Sequence, residues 1–267
     1  MPGSGPAGRI SHDDLDAYIR HGAAADGRRG RAPDQSVHEV RMTGLRRRIA
    51  QKMSLSKSRI PHYAIVEEVD VTALEDLRSE LNAAAAAGRP RLTVLPFLMK
   101  AMARAVQRHP EINAVYDEEA ETIRQYGGVH VGVATQTDSG LMVPVVRHVE
   151  ALSVWDCAAE VARLAEAART GQARSDELSG STITLTSLGP LGAIATTPVI
   201  NHPEVAIVGV NKIAIRPHWD GHQFVPRKMM NLSCSFDHRV VDGYNAAEFV
   251  RDLKTLLESP AMIFVEE

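Results

Sequence analysis

The sequence predicts an α+β domain, an α/β sandwich with helices flanking a mixed β-sheet, and three observations predict it. Apolar residues recur at helical spacing in some segments, while others alternate or run in β-branched stretches. The two kinds are interleaved without a regular strand–helix–strand alternation, so the sheet is not purely parallel. The chain has 267 residues, 44% of them hydrophobic, which fits one large domain with its own core plus a small appendage.

The elements follow in order. Ser11 is placed to cap a short helix, with Asp13 and Asp14 in its first turn and Leu15, Tyr18 and Ile19 at helical spacing. One short helix cannot bury its own apolar face and needs a partner. Residues 21–38 are rich in Ala, Gly and Arg without an apolar period, which predicts a mobile linker over 22–38. The compact domain follows, from residue 39 to 267. Thr43 opens a helix through LRRRIAQKMSLSKS; IPHYAIVEEVDV reads as a strand; Thr72 caps the helix ALEDLRSELNAAAAA, which Gly88 and Pro90 end. Thr93 opens an apolar helix, LPFLMKAMARAVQRH. INAVYD, ETIRQY, VHVGVAT and LMVPVV read as short strands, and an Ala-rich helix covers about 152–170. STITLTSL, EVAIVGVNKIAI and RKMMNLSCSF are three more strands, and Asp242-Gly243 begins the last helix, AAEFVRDLKTLLES.

Composition excludes several classes. The net charge is −3, which argues against a strongly basic nucleic-acid binder. No apolar run reaches the ~18–20 residues of a membrane span. The two cysteines, Cys157 and Cys234, cannot make a disulfide framework or a four-thiolate zinc site. Cys234 reads as structural. MPGSGPAGRI lacks a signal peptide's apolar core, so a reducing intracellular setting is the default.

The chemistry concentrates in SCSFDHRVVDG, residues 233–243. A strand ends, His238 sits in a polar turn, Asp242 follows, then a glycine and a helix. Imidazole titrates near neutrality and suits a general base. Most histidines after a strand are turn residues satisfied by their surroundings. His238 and Asp242 also have the interval of two metal ligands one helical turn apart, but the turn interrupts any helix between them and no third ligand is near.

DHRVVDG resembles the active-site signature of the dihydrolipoyl acyltransferases, the core components of 2-oxoacid dehydrogenase complexes, whose fold is shared by chloramphenicol acetyltransferase. The resemblance extends, in order, through GLRRRIAQKM, IPHYAIVEEVDVTALEDLR, GLMVPVV, STITLTSLGPLG, TPVINHPEVAIVGVNK and ESPAMIFVE, and a match of several blocks is far more specific than one motif. GSGPAGRISHDDLDAYI resembles the second half of that family's peripheral subunit-binding domain, so residues 1–21 read as its remnant and the chain as a truncated or processed fragment without a lipoyl domain.

The resemblance implies acyl transfer between the thiols of dihydrolipoamide and coenzyme A, with no metal. By its place in the motif His238 is the base that takes the thiol proton, a need set by a free thiol pKa near ~8.5. The oxyanion donor falls at Thr186, with Ser187 the competing hydroxyl; in a strand the two point to opposite faces. Asp242 is expected to pair with an arginine and organise the histidine turn, Arg46, Arg47 and Arg48 being the candidates. Its other reading is an acidic residue at a helix N-terminus. Ser187 and Gly189, with Gly192, are assigned to the coenzyme A and lipoyl channel, and GLMVPVV to a buried strand lining it. The family places its active site between subunits of a trimer, with trimers building a cubic or dodecahedral core; AMIFVE suits an intersubunit contact. The implied partners are the chain itself, the 2-oxoacid decarboxylase and the dihydrolipoyl dehydrogenase; the implied setting is the bacterial cytoplasm.

Several blocks look most like the bacterial branched-chain enzymes, pointing to isobutyryl, isovaleryl and 2-methylbutyryl groups, with acetyl the alternative. A succinyl enzyme needs a cationic or polar partner for the distal carboxylate, and none is evident. A scaffold-only core protein is the contrasting function class, but such a protein has no need of the His, hydroxyl and Asp together. A stand-alone acetyltransferase has no use for the binding-domain remnant.

Overall fold

A computed structural model describes residues 2–21 and 33–265. Residues 22–32 of the expected linker lie outside it. The chain divides into two compact units, Met1–Arg41 and Met42–Glu267.

In the first unit, helix α1 (His12–His21) starts from a reciprocal cap. The Asp14 amide donates to Ser11 Oγ at 3.3 Å and the Ser11 amide to Asp14 Oδ2 at 2.8 Å. Backbone and side-chain hydrogen bonds from Ser11 and Ser4 hold the Asp14 carboxyl below the usual carboxylate range. Leu15, Tyr18 and Ile19 are exposed within this unit.

The second unit contains helices α2 (Gly44–Arg59), α3 (Thr72–Ala83), α4 (Val94–Arg108), α5 (Val154–Arg169) and α6 (Gly243–Glu258). Its strands are β1 (His62–Asp70), β2 (Ala114–Asp117), β3 (Thr122–Gln125), β4 (Val131–Val133), β5 (Thr135–Thr137), β6 (Gly140–Met142), β7 (Val145–Val146), β8 (Ile183–Ser187), β9 (Ala206–Val210), β10 (Ala214–Trp219) and β11 (Phe224–Asp237). The main sheet has the order β1-β11-β9-β8-β4-β7, with β10 also on β11. The pairs β8–β9 and β4–β8 are parallel and the other pairs of this sheet antiparallel. This is the mixed sheet that the interleaved elements predict. Among the described residues, β2–β3 and β5–β6 form separate two-stranded sheets.

One strand explains how the core and the site share a sheet. Along LSCSFD at the end of β11, Leu232, Cys234 and Phe236 are fully buried and join the apolar cluster that includes Phe97 and Met102 of α4 and Phe249 of α6. Burying each large side chain stabilises the fold by ~1.5–3 kcal/mol. The alternate residues Ser233, Ser235 and Asp237 face the other way, and they too are buried. Their polar groups serve the loops on that face. Ser233 Oγ accepts from the Thr196 amide at 3.1 Å and from Asn211 Nδ2 at 2.8 Å.

The segmentation differs from the expectation at four places. Helix α3 stops at Ala83, short of the poly-Ala stretch. Asn82 instead holds the returning chain, donating to the Leu92 carbonyl at 3.0 Å and accepting its amide at 2.8 Å. The N-terminal residue of that helix is capped from Asp70, whose Oδ1 accepts the Thr72 amide and hydroxyl; Thr72 is itself the first helical residue. VHVGVAT and LMVPVV each divide between two sheets, so GLMVPVV is β6 and β7 rather than one buried strand. Pro144, which has no amide to donate, separates them, while its carbonyl accepts from the Val133 amide at 2.8 Å. EVAIVGVNKIAI breaks into β9 and β10 at Asn211, whose side chain bonds back to the Asn231 carbonyl at 2.8 Å.

Candidate active site

His238 occupies the turn after β11, and almost everything around it fixes the backbone. Asp237, 1% exposed, donates its amide to the Val205 carbonyl of the neighbouring segment at 2.9 Å. Its carbonyl accepts the Val240 and Val241 amides at 3.0 and 2.9 Å, folding the chain back. The His238 amide donates to the Pro61 carbonyl at 3.3 Å. The imidazole itself is exposed and rests on the Tyr63 ring, centroids 4.4 Å apart. Tyr63 donates its hydroxyl to the Val241 carbonyl at 3.1 Å. Burial, with a smaller contribution from Asp242, pushes the Tyr63 phenol up to about 12, so it remains a neutral donor at physiological pH. The arrangement leaves a histidine with a directed backbone and an unobstructed ring, the form a general base requires.

The next residue completes the turn. Asp237 accepts from the Arg239 amide at 3.0 Å, from Nε at 3.0 Å and from Nη2 at 2.7 Å, a planar bidentate pair. Sequence reasoning assigned the loop-organising pair to Asp242 and one of Arg46, Arg47 and Arg48. Within the chain those three arginines are exposed on α2 and none comes within ion-pair distance of Asp242, an exposed residue at the start of α6 without a side-chain cap bond. Asp237 and Arg239, which flank His238 in the motif itself, were missed. The signal was the alternation: Asp237 continues the buried polar row of Ser233 and Ser235.

Thr186 and Ser187 end β8, and their surroundings separate them. Ser187 Oγ accepts the Gly189 amide at 3.1 Å, which engages its oxygen in the turn and leaves its proton free to donate. Gly189 has φ +55°, a left-handed conformation that side chains other than glycine rarely adopt. The Thr186 hydroxyl, half-buried, has no hydrogen-bond partner among the described residues, so both its donor and its acceptor sites are open to a ligand. Beyond it, Leu188, Leu191 and Ile194 expose apolar side chains. Gly192 packs where a Cβ would stand 3.0 Å from the Gly189 carbonyl oxygen and 3.2 Å from the Lys212 amide.

The sheet register sets His238 far from Thr186. Thr186 pairs with Gly209 of β9, and Gly209 pairs with Ser233 of β11. From Ser233 to His238 the chain advances roughly 16 Å, and two strand spacings add roughly 10 Å across, so the two Cα atoms of one chain are on the order of 19 Å apart. No rotamer of either side chain closes that gap.

A half-buried histidine and a buried carboxylate also lie near the histidine's end of the sheet. His62 Nδ1 donates to the Ile60 carbonyl at 2.9 Å while Nε2 accepts the Ile200 amide at 3.0 Å. That pattern requires a neutral ring, and burial accordingly lowers its pKa. Glu204, 1% exposed, takes hydrogen bonds on Oε1 from Ser181 Oγ and from Asn201 Nδ2, the latter at 2.6 Å; among the described residues no donor lies within hydrogen-bond geometry of Oε2. Burial raises its carboxyl pKa, partly offset by hydrogen bonds and by Lys52. Nothing in the sequence pattern marked Glu204. Cys157 and Cys234 are both free and buried, and burial pushes their thiols up to about 11 and about 12, so neither is a thiolate nucleophile. Among the described residues no His, Cys, Asp and Glu group is arranged to hold a metal.

With this geometry in place, comparison with known proteins is decisive. The family model described as 2-oxoacid dehydrogenases acyltransferase (catalytic domain) matches residues 34–265. The chain belongs to this family. It is 59% identical, over 273 aligned positions, to the lipoamide acyltransferase component of the branched-chain alpha-keto acid dehydrogenase complex of Pseudomonas aeruginosa, covering 100% of this chain and 63% of that protein. The chain therefore spans a little under two thirds of that relative's length. It superposes with TM-score 0.83 and 40% identity on Azotobacter vinelandii dihydrolipoamide acetyltransferase, covering 86% of this chain and 95% of the other. That structure concerns the role of a serine, a histidine and an asparagine in the catalytic mechanism. Chloramphenicol acetyltransferase superposes with TM-score 0.52 at 15% identity over 78% of this chain and 94% of the other, a likeness of fold. The expected chloramphenicol acetyltransferase-like sandwich is thus the fold of this acyltransferase domain. No helix among the described residues is long and apolar enough to cross a membrane.

Proposed function

We propose that the chain transfers a branched-chain acyl group between dihydrolipoamide and coenzyme A, with His238 as general base and Thr186 as oxyanion donor. The observation that carries this is the pair of available groups. His238 is exposed on a braced turn, and the Thr186 hydroxyl at the end of β8 has no hydrogen-bond partner among the described residues, whereas the Ser187 oxygen is engaged by the Gly189 amide. The serine, histidine and asparagine of the Azotobacter enzyme are spaced along its chain as Thr186, His238 and Asp242 are spaced along this one, which favours Thr186 over Ser187.

The chemistry balances without a covalent enzyme intermediate. His238 takes the thiol proton of coenzyme A as its sulfur attacks the acyl thioester carbonyl. The Thr186 hydroxyl donates to the oxyanion of the tetrahedral intermediate. Collapse expels the dihydrolipoyl thiolate, which takes the proton back from His238. The roughly 19 Å between the two residues in one chain means that a site using both draws His238 from one copy and Thr186 from another. The minimum active unit is then a symmetric oligomer, a trimer on the family resemblance, and further assembly into a cubic or dodecahedral core uses the exposed Met262, Phe264 and Val265 near the C-terminus. Ser187 and Gly189 shape the channel mouth. Residues 1–21 read as part of a subunit-binding domain and 39–267 as the catalytic domain. The lipoyl group arrives on a separate domain, the partners are the decarboxylase and the dihydrolipoyl dehydrogenase, and the setting is the bacterial cytoplasm.

The acyl preference rests on the 59% identity with a branched-chain component against 40% with an acetyltransferase. The test is transfer from isobutyryl-, isovaleryl- and acetyl-coenzyme A to free dihydrolipoamide, with His238→Ala as control. Faster turnover of the branched donors, lost in the variant, is expected. Preference for acetyl overturns the substrate; a folded oligomer without turnover moves the reading to a scaffold.

A further inference from the structure

We propose that Glu118 is a positioning residue for the transfer reaction, acting through Arg239 and Asp237 to set the direction of His238. The proposal rests on His238 being the base.

Among the described residues the His238 imidazole makes no side-chain hydrogen bond, and its one ring contact is Tyr63. Its direction therefore comes from the backbone of the turn. Asp237 and Arg239 clamp that backbone on both sides of the histidine. The clamp is itself anchored. The Arg239 guanidinium lies over the Tyr116 ring at 4.8 Å, and its Nη1 is 3.5 Å from Glu118 Oε1. Glu118, in the turn between β2 and β3, reaches with its other oxygen to Arg59 Nη1 at 3.3 Å. Arg59 ends α2, and Pro61, two residues on, receives the His238 amide.

The contacts close a ring. The histidine turn meets the segment after α2 directly at Pro61, and meets it again through Arg239, Glu118 and Arg59. Among the described residues Glu118 is the one carboxylate that holds both arginines, and it belongs to neither the motif nor the strand that carries it. Its side chain is 41% exposed, and an ion pair that exposed contributes little to stability. Its removal is thus expected to disturb the aim of His238 more than the fold. A base displaced by a fraction of an ångström loses rate in the transition state rather than substrate affinity.

The experiment uses the full chain as its native oligomer: wild type, Glu118→Gln, Arg239→Gln, Arg239→Lys and His238→Ala. Two readouts are taken, kcat and KM for coenzyme A across pH, and the rate of His238 carbethoxylation by diethyl pyrocarbonate followed by peptide mass spectrometry. For Glu118→Gln and Arg239→Gln, kcat falls about tenfold with KM within about twofold and the pH midpoint of kcat unmoved. Arg239→Lys keeps the charge without the bidentate fork and recovers part of the loss. Carbethoxylation of His238 speeds up in Glu118→Gln because the ring leaves its seat on Tyr63. An active wild type, an inactive His238→Ala and a Glu118→Gln that matches wild type in both readouts overturn the proposal and leave the acyltransferase reading intact. A wild type without transfer overturns that reading instead, and the carbethoxylation rate still decides whether Glu118 governs the histidine.

Discussion

Replacing Thr186 with valine separates the two hydroxyls at the end of β8. Valine keeps the branched shape and the strand preference, and the threonine hydroxyl has no partner to lose among the described residues. The stability change is therefore expected within about 0.5 kcal/mol. The transition state, in contrast, loses its oxyanion donor, a loss of ~10²–10³ in kcat, or about 2.7–4 kcal/mol. Ser187→Ala is the mirror case. It removes the acceptor of the Gly189 amide, a hydrogen bond of ~0.5–1.5 kcal/mol, and kcat stays within about threefold because that hydroxyl points to the other face of the strand. Transfer from isobutyryl-coenzyme A to dihydrolipoamide, followed with thermal melts of the same samples, measures both quantities. A Thr186→Val enzyme with wild-type kcat beside a crippled Ser187→Ala would refute the assignment and move the donor one residue on.

Three other outcomes are expected. Glu204 is raised from its ordinary value of 4.5 by burial, so its contribution to stability is intact below that pH and declines as pH rises toward the native pKa, by about 1.4 kcal/mol per unit of elevation. The melting temperature of Glu204→Gln relative to wild type therefore rises as pH increases from 4.5, and a difference independent of pH would count against a carboxyl pKa raised by burial. Gly209→Ala places a Cβ 2.8 Å from the Ser233 carbonyl oxygen and 3.2 Å from Thr196 Oγ1; since a backbone oxygen has little freedom to move, a loss of ~1–3 kcal/mol in chemical unfolding is expected, and an unchanged midpoint would contradict it. Asp242→Asn, which introduces the residue type named for the Azotobacter enzyme, retains kcat within about fivefold because the Asp242 carboxylate has no arginine partner to lose among the described residues; a loss of orders of magnitude would restore it to the centre of the turn.

The fold class and the functional turn were legible because both write themselves into local pattern. Alternation in LSCSFD and the β-branched run STITLTS mark strands whatever surrounds them, and DHRVVDG places a histidine between a strand end and a helix start. What was not legible depends on partners distant in the chain. The division of VHVGVAT and LMVPVV between two sheets follows from how β8 recruits one half of the first segment. The end of α3 follows from Asn82 meeting Leu92, ten residues away, and alanine's helix propensity loses to that contact. At the site, Thr186 and Ser187 are adjacent hydroxyls whose local pattern does not separate them, and only the structure shows that the turn at Gly189 engages the oxygen of the second. Asp242 drew attention by charge and spacing, while the pair that folds the turn, Asp237 with Arg239, sat on either side of the histidine, inconspicuous because each has an ordinary reading as a strand end and a surface cation.

Mixed assembly shows whether His238 of one copy works with Thr186 of another. His238→Ala and Thr186→Ala chains are each assembled alone and then co-assembled in equal amounts after reversible dissociation. Each variant alone is expected to be nearly inactive. In the mixture, a site with both intact residues forms wherever an intact His238 from one variant meets an intact Thr186 from the other, which in random assembly is roughly one site in four. Recovery of about a quarter of wild-type activity is the predicted result. Activity in the mixture no higher than the average of the two inactive parents would contradict a site shared between copies.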